Sequence, residues 1–441
     1  FGRQRDLRRL VRHLTATPGD AIALIGGRRM GKTSLLEALL RALTPEAADA
    51  PGSLLSLPVF LDFAGAGVDA TAAFFRTVLT EARLLLADRP GLSLPDAALS
   101  DADPPAPAFR RVLEHWGRTV LDQRERSLRL ILLLDECEQI VEQPWAPELY
   151  GALRYLLVGR TTRPLFKVVM AGSHRFVSQV RQHGSPLRNV LAYHMLYALD
   201  REATQALVTQ PSDGRLGDAV ARAIAAQSGG HPFLTQYLAH HLWERGLADA
   251  TPEAVARGAA RFPHERGDFR DWSEGLGAEG LRVYQVLEGA DGPLSEIHMR
   301  AALDPAPANL PQALESLCYH GLIVQDPAGE GYRIAGTMFR DWFVANVAAN
   351  LAADLITDLA ARKAKLPPAS SAEAIRLHQV LTTRLNAEEF RTLCFHLGVN
   401  YDDLGGDGLS AQARELIRHL EKRGRLSALV DWLDRNRPDV A

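Results

Sequence analysis

The sequence contains few cysteines and no long apolar run. Its three cysteines, Cys137, Cys318 and Cys394, lie far apart in the 441-residue chain and form no CxxC pair. This pattern argues against a disulfide scaffold or a zinc site and is typical of the reducing cytosol. No apolar run approaches the roughly 18 residues that a bilayer span requires, and no signal peptide is visible. We therefore expect a cytoplasmic protein with no membrane segment.

The sequence also lacks an excess of basic residues. It has 50 Lys and Arg against 53 Asp and Glu, for a formal net charge of -3. Nonspecific binding to nucleic acid depends on clustered Lys and Arg, so this balance argues against nucleic acid as a partner. No repeat array with a period of about 30 to 45 residues stands out that could act as a sensor.

Short apolar segments alternate with helical patterns in the first part of the chain. This alternation predicts an α/β fold in which helices cover both faces of a parallel sheet. A stretch rich in Pro, Asp and Ala, residues 88–108, is interpreted as a surface insertion in this domain. The predicted strands are residues 20–25, 57–63, 128–135, 166–173 and 194–199.

Helical patterns dominate from about residue 200 onward. Three helical segments and two short strands around a turn at residues 325–331 outline a winged helix. A charged, then Pro- and Ser-rich linker, residues 361–371, precedes a small all-α bundle of amphipathic helices. In that bundle, Asn386 and Glu389 have the spacing of a capping box. The predicted segments are an ATPase domain (1–199), a helical lid (200–275), a winged helix (276–348), a helical linker (349–380) and a helical bundle (381–441).

The stretch LIGGRRMGKTSLL, residues 24–36, fits the pattern G-x-x-x-x-G-K-[ST] between a predicted strand and a predicted helix. Its glycines let the backbone turn so that N–H groups point at phosphate oxygens. Lys32 supplies a charge toward the β- and γ-phosphates, and the Thr33 hydroxyl can ligate Mg²⁺. A chance match occurs in about one chain in a hundred of this length, and the strand–helix context favours the functional interpretation. The predicted phosphate-binding residues are Gly26, Gly27, Arg28, Arg29, Met30, Gly31, Lys32, Thr33 and Ser34.

A second motif, LILLLDECEQI, is a hydrophobic strand that ends in acidic residues. Asp135 is placed to bind Mg²⁺, and Glu136 is placed to polarise an attacking water. A strand that merely ends in surface acids is the alternative, and the upstream phosphate motif favours the functional interpretation. Glu138 is interpreted as a solvated residue. We therefore predict a slow ATPase with Lys32 and Glu136 as catalytic residues, and with ATP or ADP and Mg²⁺ as ligands.

Two further segments carry candidate residues. The strand in VVMAGSHRF ends at Ser173, which could sense a γ-phosphate or could cap the next helix, and the sequence leaves both open. In QSGGHPFLTQYL, a Gly-Gly step before Pro232 predicts a sharp helix start. By spacing alone, His231 is a cap or turn residue. No arginine finger can be assigned among the candidates Arg160, Arg163 and Arg175.

These four motifs, in this order, resemble the STAND class of P-loop ATPases, which are signal-transduction switches related to AAA+ proteins. The opening FGRQRDL is similar to a shortened form of the class's N-terminal motif. This resemblance implies that Phe1, Gly2 and Arg3 lie near the adenine. GGHPFLTQYL is similar to the GxP motif of the class, which implies that Pro232 approaches the nucleotide.

The resemblance extends over residues 1 to about 345, with one departure near its end. Eukaryotic relatives carry a Met-His-Asp triplet that contacts the phosphate of ADP. The comparable place here, residues 334–336, reads Ile-Ala-Gly and has no histidine. The resemblance therefore does not extend to a histidine latch at that position.

The last sixty or so residues resemble an effector-associated domain of the seventh described type. Such domains are small death-like adaptor bundles of bacterial conflict and signalling systems. The segment RELIRHLEKRGRLSALV, residues 414–430, carries most of this resemblance, and a generic helical tail is the alternative. No protease, nuclease or TIR motif is present in the chain. The resemblance therefore implies that the partner is an effector protein with a matching domain.

Three functions suit a P-loop chain of this organisation. A signalling switch would form homo-oligomers in the ATP state or expose the adaptor, and bacterial conflict or defence signalling is the expected setting. A DNA-acting ATPase of the origin-recognition type would use its winged helix, but the predicted helix at residues 309–321 carries no Lys or Arg. A metabolic kinase would need an acceptor-substrate domain, and none is apparent. We therefore predict the switch.

Overall fold

The computed structural model describes most of the chain, which divides into two compact units, residues 1–348 and 349–441. Phe1, most of the predicted insertion and most of the predicted linker lie outside the described residues, so the predictions for them are not addressed by the structure. The described residues are 2–16, 21–44, 53–87, 94, 99, 103–246, 249–303, 307–326, 329, 331–349, 351, 370–401, 404–405, 408–422 and 425–436.

A five-stranded parallel sheet, in the order β2-β3-β4-β1-β5, lies at the centre of the first unit. Every residue of β1 and β4 is buried, as expected for parallel strands covered on both faces. The predicted parallel sheet is confirmed. The fifth strand begins three residues earlier than predicted, because this half-exposed edge strand carries a weak apolar pattern. The strands are β1 (Ala21–Ile25), β2 (Leu54–Asp62), β3 (Ser127–Asp135), β4 (Phe166–Gly172) and β5 (Leu191–Met195).

Helices cover both faces of this sheet. Alternate side chains of a strand point to opposite faces, so Ile22 and Leu24 pack against α1 and α2, whereas Ala23 and Ile25 belong to the core on the other face. That second core also contains α3 to α6. The two cores fix the carboxyl ends of β1, β3 and β4 relative to each other. The helices are α1 (Gln4–Thr15), α2 (Lys32–Leu43), α3 (Thr71–Ala87), α4 (Pro105–Arg124), α5 (Ala146–Val158) and α6 (His174–Arg181).

The rest of the first unit is mainly helical and ends with an antiparallel hairpin, β6 to β7. The helix–helix–helix–hairpin order that the sequence predicted for residues 276–348 is present, and its assignment as a winged helix stays a prediction. Helix α11 is kinked at Gly277, close to the predicted boundary after residue 275. The elements are α7 (Arg201–Thr209), α8 (Asp218–Ser228), α9 (Pro232–Glu244), α10 (Pro252–Glu265), α11 (Asp268–Glu288), α12 (Glu296–Ala302), α13 (Leu310–Tyr319), β6 (Ile323–Gln325), β7 (Tyr332–Ile334) and α14 (Thr337–Phe343).

The second unit is all-helical in its described residues. The predicted capping box is confirmed, because Asn386 Oδ1 accepts the Glu389 N–H at 2.9 Å and the Glu389 carboxylate accepts the Asn386 N–H at 2.8 Å. One core joins the four helices that the structure describes from residue 370 onward and includes Leu377, which precedes the predicted start of the bundle at residue 381. The helices are α15 (Ser370–Arg384), α16 (Ala387–His396), α17 (Leu409–Lys422) and α18 (Leu426–Asn436).

A helix can cross a membrane only if it is both long and apolar. Within the described part of the chain, no helix combines the length and the apolar character needed to cross a membrane.

Candidate nucleotide-binding site

The loop between β1 and α2 has a backbone suited to holding an anion. Gly31 adopts φ of 88° immediately before α2, a conformation that is strained for residues with a Cβ atom. Among the described residues, no side chain caps the start of α2, so its first N–H groups are available to a ligand. The Lys32 ammonium donates to the carbonyls of Gly26 at 3.0 Å and Gly27 at 3.2 Å. The loop therefore combines a positive charge with free N–H donors.

A cavity of about 960 Å³ opens beside this loop. Its volume lies within the range of about 300 to 1,000 Å³ that is common for small-molecule sites. Among the predicted residues that the structure describes, Gly2, Gly26, Gly27 and Asp135 are not in the lining. The predicted residues that do line it are Arg3, Arg28, Arg29, Met30, Gly31, Lys32, Thr33, Ser34, Glu136, Ser173 and Pro232.

The start of the chain is hydrogen-bonded to the loop between β1 and α2, residues 26–31, which is called the phosphate loop after its predicted role. Arg3 Nη2 donates to the Met30 carbonyl at 3.2 Å and to the Tyr197 carbonyl, just after β5, at 2.7 Å. Arg3 also lies 3.6 Å from the Asp6 carboxylate. These contacts bring Arg3, one of the residues predicted for the adenine side, to the same cavity as the loop predicted for the phosphates.

The acidic end of β3 reaches the same cavity, which Glu136 lines. Asp135 is buried, and its Oδ1 accepts the Glu136 N–H at 2.9 Å. Glu136 itself adopts φ of 51°, which turns the chain at the end of the strand. Burial raises the pKa of Glu136, and the negative charges of Glu138 and Asp135 raise it further. A carboxylate with a raised pKa accepts a proton from water more readily.

The residues present fit a magnesium-bound nucleotide. Thr33 lines the cavity at the start of α2, and Asp135 Oδ2 accepts no hydrogen bond among the described residues. Hydroxyl and carboxylate oxygens are ligands that Mg²⁺ prefers. Thr33 and Asp135 would hold the ion, which would neutralise charge on the phosphates.

Ser173 occupies the helix N-cap position, yet its hydroxyl does not cap the helix. It precedes α6 with extended backbone angles and forms no side-chain cap bond there. Its Oγ is buried without a hydrogen-bond partner in the described part of the chain. Of the two interpretations left open by the sequence, the N-cap position is confirmed, although the side chain forms no cap bond, and a role in sensing the γ-phosphate stays a prediction.

Glu138 differs from its prediction as a solvated residue. Its Oε2 accepts the Ser173 N–H at 3.0 Å, and the side chain lines the cavity. The motif therefore contributes two acidic side chains, Glu136 and Glu138, to this cavity. The one-turn 3₁₀ helix at Cys137–Ile140 brings Glu138 back toward the end of β4, and the strand pattern could not show this turn.

The two arginines of the loop reach the mainly helical part of the unit. Arg29 Nη1 lies 2.9 Å from Asp268 Oδ1, and its guanidinium stacks 4.1 Å from the centre of the Phe233 ring. Arg28 Nη1 lies 3.8 Å from the Asp271 carboxylate in a more exposed pair. The phosphate loop is therefore bonded directly to α9 and α11.

Several other residues line the cavity, although no local sequence pattern predicted that they would. Tyr319 and His320 come from the end of α13, and Phe233 and Gln236 come from α9. His320 follows the helix as a lone histidine, so only its tertiary placement shows that it lines the same cavity as Lys32. The three candidate arginine fingers are exposed and do not line the cavity: Arg160, Arg163 and Arg175.

Comparison with protein families identifies the first part of the chain. The family model described as Novel STAND NTPase 1 matches residues 1–254, more than half of the 441 residues. The chain belongs to the novel STAND NTPase 1 family. It is therefore an NTPase, and the resemblance inferred from its motifs is confirmed. A second model, effector-associated domain 7, matches residues 377–438 of this STAND protein.

Several solved structures match the chain at low sequence identity. The Walker-type ATPase PABY2304 of Pyrococcus abyssi is 18% identical, with a TM-score of 0.48, over 77% of this chain and 95% of its own. The ORC2 protein of Aeropyrum pernix is 14% identical, with a TM-score of 0.44, over 78% of this chain and 95% of its own. The STAND protein PH0952 of Pyrococcus horikoshii, which has a tetratricopeptide repeat sensor, is 15% identical, with a TM-score of 0.32, over 99% of this chain and 54% of its own. Among curated proteins, none matches the chain.

Two largely buried histidines, one before α9 and one after α13, lie close to the loop between β1 and α2. His231 stacks on Trp272 with ring centres 4.9 Å apart, and its Nδ1 has no partner among the described residues. Burial, with a smaller contribution from the nearby His320, lowers the pKa of His231 to about 3. Burial, with a contribution from His174, lowers the pKa of His320 to about 4. Both rings are therefore neutral at pH 7.

We expect acid to destabilise this junction. An unfolded histidine takes up a proton near pH 6.5, whereas these two resist protonation until about 4 and about 3. The free energy of unfolding is therefore at its full value above about pH 6.5. Between about pH 6.5 and the folded-state pKa of each histidine, it falls by about 1.4 kcal/mol per pH unit for that histidine. Urea unfolding at about pH 7 and about pH 5 measures the slope. His320→Gln should reduce the slope and the exposed His240→Gln should not; equal slopes in all three proteins would contradict the prediction.

Proposed function

We propose that this STAND NTPase is an ATP-hydrolysing signalling switch that controls its own assembly or the recruitment of an effector. One observation carries the proposal. Arg29, inside the loop predicted to hold phosphate, is ion-paired with Asp268, 239 positions away in the sequence, and stacks on Phe233. A ligand that changes this loop therefore acts directly on α9 and α11. Nucleotides can bias two arrangements only if they bind them differently, and this contact gives them a way to do so.

In the proposed reaction, the chain orients ATP and activates a water. Lys32 and the free N–H groups of α2 bind the phosphates, while Arg3 and Pro232 border the base side of the cavity. The Glu136 carboxylate accepts a proton from the attacking water. The unpartnered Ser173 hydroxyl donates to the terminal phosphate. Mg²⁺ held by Thr33 and Asp135 would stabilise the charge on the phosphates.

The second unit supports an adaptor role. The effector-associated domain model and the four-helix core cover the same part of the chain. We infer that an effector protein with a matching domain binds this bundle, that the ATP state is a homo-oligomer, and that the setting is bacterial conflict or defence signalling. Helix α13 and the hairpin β6–β7 that follows it form the hairpin-bearing segment, residues 310–334. A regulatory role for this segment is favoured over DNA reading, because α13 carries no Lys or Arg and its carboxyl end borders the nucleotide cavity.

The switch predicts different masses in the two nucleotide states. The full chain should form a larger assembly with a non-hydrolysable ATP analogue and Mg²⁺ than with ADP, because the analogue selects a second arrangement of the same parts. Light scattering after size-exclusion chromatography measures the mass, and limited proteolysis reports the arrangement. Arg29→Ala should weaken the dependence on nucleotide, whereas the exposed Arg9→Ala on α1 should retain it. Identical masses and identical cleavage patterns in both nucleotide states would contradict the proposed switch.

A further inference from the structure

Tyr319 contacts the phosphate loop through its backbone. It is the last residue of α13, and its carbonyl accepts the Gly27 N–H at 3.1 Å. A Cβ atom on Gly27 would lie 2.5 Å from the same carbonyl oxygen. Glycine at position 27 is therefore what allows the end of α13 to approach the loop this closely.

The side chain of Tyr319 reaches a different part of the site. Its hydroxyl accepts the His174 N–H at 3.1 Å, at the first residue of α6. The rings of Tyr319 and His174 also meet edge to face, with centres 6.2 Å apart. Burial raises the pKa of Tyr319 to about 12, so the hydroxyl keeps its proton at pH 7. Tyr319 therefore connects the loop after β1 to the turn between β4 and α6 at Ser173 and His174, which is called the corner below.

That corner is where a terminal phosphate would be detected. Ser173, next to His174, offers a buried hydroxyl without a partner in the described chain, and its N–H is held by Glu138 at 3.0 Å. The two successive N–H groups of the corner thus bond to two different segments, the acidic motif and α13. A shift of the corner would be transmitted to both.

We propose that Tyr319 is a positioning residue that couples the Ser173–His174 corner to α13, so that the terminal phosphate sets the position of the hairpin-bearing segment. The Tyr319 carbonyl keeps α13 bonded to the phosphate loop, and the Tyr319 hydroxyl moves with the corner because it accepts the His174 N–H. The inference rests on the proposed nucleotide switch and adds the route by which α13 responds to it.

Tyr319→Phe tests this route because it removes the hydroxyl and keeps both the ring and the carbonyl. Hydrogen exchange of the full chain is compared between ADP and a non-hydrolysable ATP analogue, each with Mg²⁺. In the wild type, amides of α13 and β6 should exchange at rates that differ by about tenfold between the two states. In Tyr319→Phe the difference should fall to about twofold or less, while both nucleotides bind with affinities within about threefold of wild type.

Two further variants make the test specific. Tyr284→Phe is the matched control, since Tyr284 is also buried and its hydroxyl has no partner among the described residues; it should keep the wild-type difference. His174→Pro removes the same hydrogen bond from its donor at a helix position that tolerates proline, and it should behave as Tyr319→Phe does. It also serves if Tyr319→Phe does not fold.

The outcomes separate this inference from the proposed switch. A full ATP-to-ADP difference in both Tyr319→Phe and His174→Pro would overturn the role of Tyr319 and leave the switch standing. A wild type that binds both nucleotides without any difference in exchange would overturn both. Loss of the difference in Tyr284→Phe as well would show a general effect of losing a tyrosine hydroxyl and would also overturn the specific role.

Discussion

Lys32→Ala is expected to bind ATP about 10- to 100-fold more weakly than the wild type and to lose hydrolysis. The ammonium donates to the carbonyls of Gly26 and Gly27, so it already lies over the loop that would hold the phosphates. Its removal takes away the charge that faces the β- and γ-phosphates and two bonds that shape the loop. Isothermal titration with ATP and Mg²⁺, together with phosphate release, measures both losses.

The control for this variant must separate binding from folding. Arg9→Ala removes an exposed positive charge from α1 and should bind ATP as the wild type does. Thermal unfolding of Lys32→Ala without nucleotide should show a folded protein, since the packed faces of α2 are formed by leucines such as Leu35 and Leu39. A folded Lys32→Ala protein with wild-type affinity for ATP would show that the phosphates bind elsewhere.

Local motifs predicted the parts of the site that one strand–loop–helix segment builds by itself. The phosphate loop follows β1 and opens α2, so the turn, the charge and the helix start are adjacent in the sequence. The acids at the end of β3 are equally local, because a buried strand brings its last residues to the edge of the sheet. The parallel sheet was predictable for the same reason: each of its buried strands is a separate apolar run.

The residues that escaped prediction reach the cavity through tertiary contacts. Tyr319 meets His174 across 145 positions, and Asp268 meets Arg29 across 239. No spacing rule relates such pairs, and a tyrosine at the end of an amphipathic helix gives the same pattern in any packed core. Glu138 escaped for a different reason, since a one-turn 3₁₀ helix redirected it after the strand.

These long-range contacts change what the phosphate loop can do. Here Arg29 is paired with Asp268, which is largely buried, so breaking the pair would leave a charge in a poorly solvated place. Arrangements of the loop and of α11 are therefore linked energetically, as regulation by nucleotide requires.

Glu136→Gln is expected to lower the rate of ATP hydrolysis by about 10²- to 10⁴-fold while ATP still binds. Glutamine keeps the size of the side chain but cannot accept a proton from water. Binding should be unchanged or slightly tighter, because one negative charge leaves a cluster that also holds Asp135 and Glu138. Single-turnover hydrolysis and ATP titration measure the two quantities separately, and the variant should accumulate in the ATP state.

Glu138→Gln is the matched control, because it removes one negative charge from the same cluster and its amide oxygen can still accept the Ser173 N–H. It should hydrolyse ATP within about tenfold of the wild-type rate if proton transfer belongs to Glu136. The pH profile adds a second criterion. A base must be deprotonated to act, and burial raises the pKa of Glu136, so the wild-type rate should rise with pH through a midpoint above the ordinary value for glutamate. Glu138→Gln should keep this rising limb, and Glu136→Gln should lose it. If the two variants fall equally and both keep the limb, the acids act by charge alone and the proton acceptor is another group.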